Sequence, residues 1–201
     1  MQALATRRSI RKWQKAPLSK QELSDLLWAA CGITKESTTS SKSRRTAPSA
    51  TNSKEIKVYI ALGHGLFLYD ETRHQLLQIH SDDIRSSIGT QKMMHSAPVG
   101  LIYVSDFSRL KKYLAKDEQR KWIVSGTDAA FISQNVYLYC TAARLSTVVL
   151  SLDELSRVAQ FSKYLFHRIF SAFMGESLHA FITHLRVERA AALLPNRCAR
   201  P

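Results

Sequence analysis

Close to the N-terminus, the stretch RRSIR places Arg7, Arg8, Ser9 and Arg11 within a few residues of one another. A guanidinium is a planar fork of donors, so an Arg-x-Ser-x-Arg arrangement offers two forked cations and a hydroxyl to a phosphate dianion. The plain alternative is a solvated basic terminus. A second stretch, PSATN, carries Pro48, Ser49, Ala50 and Asn52. Pro48 stiffens a turn there, and the Asn52 amide can both donate to and accept from a polar ring edge; an ordinary Pro-Ser turn would read the same. A third set, Lys163, Tyr164, His167 and Arg168, falls on one side of a helix pattern. Such a face can grip phosphates and reach base edges, or can simply be solvated. No acid–base pair stands out as catalytic. The cysteines Cys31, Cys140 and Cys198 have no metal-ligand spacing, which suggests reduced thiols in a cytoplasmic protein.

The bulk composition narrows the partners. At 201 residues the chain has room for one ordinary domain and a small appendage, and 45% apolar with 22% charged residues is a globular balance. The formal charge of +13 favours phosphate-bearing partners such as nucleotides or nucleic acid. Residues 1–150 hold 22 Lys+Arg against 12 Asp+Glu, and residues 151–201 hold 7 against 4. The basic excess therefore does not concentrate in the C-terminal part. The N-terminus is too charged for a signal peptide, and no apolar run is long enough for a membrane span.

These residues need elements to hold them. LSKQELSDLLWAACG reads as a helix capped by Ser19 with Glu22 three residues on, stopping at Gly32. The polar stretch 33–54 reads as a long loop. EIKVYIAL, GLFLYD and HQLLQIH read as three strands of a meander, SDDIRSSIG as a short helix, and APVGLIYVSD as a buried strand. Residues 107–145 read as helical almost throughout, with Ala129, Ile132, Val136, Tyr139 and Ala143 on one apolar face. That apolar helix has more nonpolar surface than a one-sided helix needs. The order is α+β. From residue 151 the pattern is helical, so a boundary is expected at 150/151. The valines and leucine of 147–150 can be read as closing a strand.

RRSIRKW, RTAPSATN, APVGLIYV and FISQNVYLYC occur in an order that resembles the nitroreductase family of flavin enzymes. The resemblance implies a sheet with flanking helices and a homodimer. It also implies flavin mononucleotide held at the subunit interface, with NAD(P)H as electron donor to a nitroaromatic or quinone-like acceptor. By that resemblance Arg7, Arg8, Ser9 and Arg11 hold the phosphate and ribityl chain. Pro48, Ser49, Ala50 and Asn52 pack on the flavin ring from the second subunit. Gln134 and Asn135 are read as core amides. The family has a glycine in left-handed conformation after its apolar helix; Arg144 occupies that position here. A following glycine-bearing loop and a basic tail are missing, so the flavin is expected to be held weakly.

Residues 151–194, with FS, RIF, GES and LRVERA in sequence, resemble the first half of an AraC-type helix-turn-helix domain. That resemblance implies double-stranded DNA as a partner, bound by Lys163, Tyr164, His167 and Arg168, with Tyr164, His167 and Arg168 facing the groove. The expectation is thus a C-terminally truncated nitroreductase-like domain joined to half of an AraC-type domain. Either half acting alone, or neither, remains an alternative.

Overall fold

A computed structural model of the chain describes residues 1–14, 16–39, 42–88 and 91–150. Its architecture is a four-stranded antiparallel sheet with two principal helices packed on one face. The first expected helix is present as α2, Lys20–Cys31, following the single-turn helix α1, Gln2–Thr6. Ser19 and Glu22 form a complete capping box: the Ser19 hydroxyl accepts the Glu22 N–H, and the Glu22 carboxylate accepts the Ser19 N–H at 2.7 Å. Gly32 ends the helix in an extended conformation. Its role is space, because a Cβ there would lie 2.5 Å from the Trp28 ring and 2.7 Å from the Trp28 carbonyl oxygen.

Strands β3 (Ile56–Leu62), β4 (Gly65–Asp70), β5 (Gln75–His80) and β6 (Gly100–Ser105) lie in the order β5-β4-β3-β6, all antiparallel neighbours. The register pairs Tyr59 with both Leu68 and Ile102. Ile56, Val58, Ile60 and Leu62 therefore point to one face, and there they meet Leu26, Leu27, Ala30 and Cys31 of α2. The same core takes in Ile132, Val136 and Cys140 of α4, Glu118–Ala142, which follows the one-turn α3, Lys112–Ala115. The Tyr139 hydroxyl donates to the Glu22 carbonyl at 3.1 Å, tying α4 to the start of α2.

Several expectations change. The stretch 33–54 is not a plain loop: Ile33–Lys35 (β1) and Arg44–Arg45 (β2) pair antiparallel, and the Arg45 side chain is buried. The apolar run at 97–106 does form a strand, but one only partly buried. Among the described residues β6 pairs only with β3, and Val104 is 44% exposed. Residues 81–88 contain only a short 3-10 turn, Arg85–Ser87. The Asp83 carboxylate takes the Arg85 backbone N–H at 3.0 Å and its guanidinium at 2.7 and 2.8 Å, and such local bonds compete with helix formation. Residues 147–150 form no strand; the Thr147 carbonyl instead accepts the Ile10 N–H at 2.9 Å. On α4, Ala143 lies past the helix end and is exposed, while Cys140 takes the buried place. Gln134 is likewise exposed rather than a core amide, and Asn135 is half-buried.

The expectation at Arg144 holds. Its φ is 59°, in the left-handed region. The Arg144 N–H donates to Thr141 and the Leu145 N–H to Cys140, the paired bonds of a Schellman ending.

Candidate functional site

The two stretches singled out in residues 1–150 meet α4 at different levels. At its C-terminal end, the Arg7 guanidinium lies over the Tyr137 ring, 5.1 Å from its centroid. Ser9 Oγ is hydrogen-bonded to the Tyr137 hydroxyl at 2.8 Å, and the same hydroxyl accepts the Val149 N–H at 2.9 Å. With the Ile10–Thr147 bond, these contacts stitch the N-terminal stretch to the segment after α4. Arg8 and Arg11 remain exposed beside them. The stretch is thus fixed through Arg7, Ser9 and Ile10, while two forked cations face outward.

The other level is near the middle of α4. The Ala50 N–H donates to Asp128 Oδ2 at 2.9 Å, and the Ser49 hydroxyl donates to Glu55 Oε2 at 3.3 Å while accepting the Lys54 N–H at 2.8 Å. The Asn52 side-chain amide donates to the Ser43 carbonyl at 3.0 Å, and Lys54 Nζ donates to Ser43 Oγ. Pro48 is exposed. Thr51, Asn52 and Lys54 all have positive φ, at 54°, 56° and 52°. Three non-glycine residues in the left-handed region within four positions store strain that the surrounding bonds must offset.

Below this loop, Glu55 is fully buried and Asp128 only 4% exposed. Burial pushes the Glu55 carboxyl above the ordinary range, and the neighbouring Asp128 carboxylate adds to the rise, against opposing hydrogen bonds from its own backbone and Ser49. Arg45 closes the other side, donating to the Ile56 carbonyl at 3.2 Å and to Glu71 at 2.5 Å. Burial alone would raise the Glu71 carboxyl, but the Arg45 guanidinium more than offsets that and holds it low. The cavity among Arg45, Ser49, Lys54, Glu55 and Asp128 is about 10 Å³, room for one water at most. The inner side of the loop is therefore packed, and only its outer side can meet a ligand.

Asp128 and Tyr137 are nine residues apart, two and a half helical turns, so they lie on opposite sides of α4 and about 14 Å apart along it. One protomer therefore does not bring the arginine stretch and the Pro48–Asn52 loop together. Nothing in either cluster supplies a nucleophile. The thiols of Cys31 and Cys140 are buried, and burial pushes them up to about 12 and about 11, where no thiolate forms near neutrality.

Sequence reasoning missed Tyr137, Glu55, Asp128 and Arg45. Asp128 left a signal, since with Ile132, Val136 and Cys140 it belongs to the buried stripe of α4 and is an acid at an apolar position. Glu55 left none, standing at the polar edge of a strand pattern.

The pattern of the nitroreductase family matches residues 4–165. The chain belongs to the nitroreductase family. A protein of Ralstonia eutropha JMP134 assigned as a nitroreductase has a crystal structure that overlays with a TM-score of 0.64. It is 32% identical, and the overlay covers 81% of this chain and 75% of that one. A protein of Methanocaldococcus jannaschii assigned as a nitroreductase is 25% identical over 174 residues, 80% of this chain and 84% of its own. The E. coli microcin synthetase complex McbBCD shares the fold at a TM-score of 0.56 and 15% identity, covering 81% of this chain and 68% of that chain. The family match crosses the boundary expected at 150/151 and takes in residues 151–165, including Lys163 and Tyr164 of the set assigned to DNA. Lys163, Tyr164, His167 and Arg168 all lie outside the described residues. Among the described residues no helix is long and apolar enough to cross a membrane.

Proposed function

We propose that this nitroreductase-family oxidoreductase works as a homodimer with flavin mononucleotide, taking hydride from NADH or NADPH for a nitroaromatic or quinone-like acceptor. The observation that carries the reading is the fixed N-terminal stretch, with Arg7 and Ser9 seated on Tyr137 and Arg8 and Arg11 exposed beside them. The residues fit the group: guanidinium forks and a hydroxyl answer a phosphate dianion and a ribityl chain. A bound flavin would supply the hydride-accepting ring and pass its electrons to the acceptor.

The chain's own residues have the remaining tasks. Arg8 and Arg11 bind the phosphate, and Arg7 stiffens the stretch through its ring contact. Pro48 and Asn52 present the outer side of the loop to a ring held mainly by the other protomer. The separation of the two clusters along α4 supports this division, as does the apolar surface that α4 leaves uncovered. Ile123 is 60% and Phe131 44% exposed on that helix, and apolar surface of this kind marks subunit contacts. The left-handed Arg144 directs the chain so that Thr147 and Val149 meet Ile10 and Tyr137.

The test is binding of flavin. Purified protein run on gel filtration in buffer containing flavin mononucleotide should elute yellow, at the volume of a dimer, and should quench the fluorescence of added flavin saturably. Colourless protein that also shows no saturable quenching of flavin fluorescence would refute the cofactor, and a folded monomer at micromolar concentration would refute the shared site. Pseudo-first-order oxidation of NADH and NADPH by the loaded protein then establishes the donor.

A further inference from the structure

We infer that Glu55 and Asp128 hold one proton between them, and that this shared proton is the latch fastening the Pro48–Asn52 loop to α4. The geometry is specific. Glu55 leads into β3 and is fully buried; Asp128 sits in the buried stripe of α4. Each carboxyl group receives one hydrogen bond from the loop, Glu55 from the Ser49 hydroxyl and Asp128 from the Ala50 N–H. The second Glu55 oxygen, Oε1, is buried without a partner, which is costly for a carboxylate oxygen. The neighbouring group able to satisfy it is the Asp128 carboxyl, which lines the same small cavity as Glu55. Two carboxyl oxygens hydrogen-bond each other only when one of them carries a proton, and like charges sharing a buried site disfavour ionising together.

The charged groups around the pair leave the proton in place. Arg45, from β2, lines the same cavity but directs its guanidinium to Glu71 and the Ile56 carbonyl. Lys54 sends its ammonium to Ser43. On the β6 side, Asp106 meets Glu55 through main chain, its N–H donating to the Glu55 carbonyl, while its carboxylate is taken by Ser108. Arg109 is exposed and acts on Lys54 from a distance. No cation reaches the Glu55 carboxyl among the described residues.

Glu55 and Asp128 are thus positioning residues. The shared proton binds Glu55 to Asp128, and through them Ser49 and Ala50 are held while Thr51, Asn52 and Lys54 stay left-handed. Loss of the proton places two like charges under the strained loop and releases it. The sign follows from burial: the Glu55 carboxyl is raised above its unfolded value. Its contribution is fully present below the ordinary glutamate range and is lost as pH rises through the folded value.

The experiment uses the full chain without flavin, so it stands or falls apart from the cofactor reading. Glu55→Gln donates an N–H to Asp128 permanently. Asp128→Asn donates to Glu55 while its carbonyl still accepts the Ala50 N–H. Urea midpoints are measured from about pH 5.5 to about pH 8.5. The wild type should lose stability as pH rises, with the unfolding constant changing by up to about tenfold per pH unit while the proton leaves. E55Q and D128N should both remove that dependence and match or exceed the wild type at the alkaline end. A wild-type midpoint that does not fall, or an E55Q variant that falls in parallel with it, overturns the latch. Hydrogen exchange at the Ala50 amide gives a second measure on the wild type alone, should a variant fail to fold. Corrected for intrinsic base catalysis, exchange should accelerate by about tenfold or more across the same range; unchanged protection overturns the proposal.

Discussion

The Arg7–Arg11 stretch and the Pro48–Asn52 loop both rest on α4, yet they are built in opposite ways. The first is an exposed segment with a few polar contacts, Arg7 and Ser9 on Tyr137 and Ile10 on Thr147, and its spare cations face solvent. The second is underlain by buried charge: Arg45 with Glu71, and Glu55 with Asp128, each group committed to the protein. A site that grips a mobile anion can leave its donors free, because water satisfies them until the ligand arrives. A site that presents a rigid edge to a flat ring must hold backbone in unfavourable conformations, and only a packed foundation does so. On the function proposed above, the difference divides binding energy from shape, with the arginines supplying affinity and the loop supplying geometry.

The sharpest break of this comparison is Arg45→Met. It leaves Glu71 buried to 14% exposure without its partner and frees the Ile56 carbonyl, a loss of about 3–5 kcal/mol for a broken buried pair. Urea denaturation should show it at neutral pH. Because Arg45 holds the Glu71 carboxyl low, the pair's contribution is present above the ordinary glutamate range and fades as pH falls through the folded value. The penalty of Arg45→Met should therefore shrink in acid, opposite in sign to the trend inferred for Glu55. A penalty that is constant with pH would show that packing, rather than charge, is what Arg45 provides.

On the N-terminal side the expected loss is in binding. Arg11→Ala should weaken flavin mononucleotide by about 1.5–3 kcal/mol, roughly 10- to 150-fold, as one charge-assisted phosphate contact disappears. Lys12→Ala should cost well under about 1 kcal/mol, as a solvated lysine does. Both side chains are exposed, so neither change should move the urea midpoint by much. Fluorescence titration compares them directly, and equal affinities would remove the phosphate site from this stretch.

How much of this was legible depended on whether the signal was local. The Ser19–Glu22 capping box and the meander strands follow from short-range rules and the left-handed Arg144 from the family resemblance, and the structure has all of them. Edge or centre is not local: the apolar run ending in β6 looks the same whichever place it takes in the sheet, so its exposed Val104 could not be foreseen. The arginine stretch was visible because its chemistry is carried by adjacent residues. The foundation of the loop was not, because Arg45, Glu55, Glu71 and Asp128 come from four separate segments and meet only in the fold. Asp128 alone gave notice, as an acid in an apolar stripe.

The smallest expected effect concerns the turn that brings the end of α4 back to the N-terminal stretch. Arg144 holds φ at 59° with its side chain exposed, and an L-residue there costs about 1–2 kcal/mol relative to right-handed backbone. Glycine removes that cost but adds freedom to the unfolded chain, worth about 0.4–1 kcal/mol in the other direction. Arg144→Gly should therefore stabilise the fold by about 0.5–1 kcal/mol, or raise Tm by roughly 1–4 °C for a chain of this size. The two bonds of the turn, Arg144 to Thr141 and Leu145 to Cys140, are main-chain and survive the change. Leu145 still packs on the core beside Cys140. The gain should appear in protection of the Ile10 and Val149 amides, which rest on Thr147 and Tyr137, and not at Ala50 on the other side of α4. Equal gains at both places would mean that the N-terminal stretch and the loop open together, and the division between them would fall.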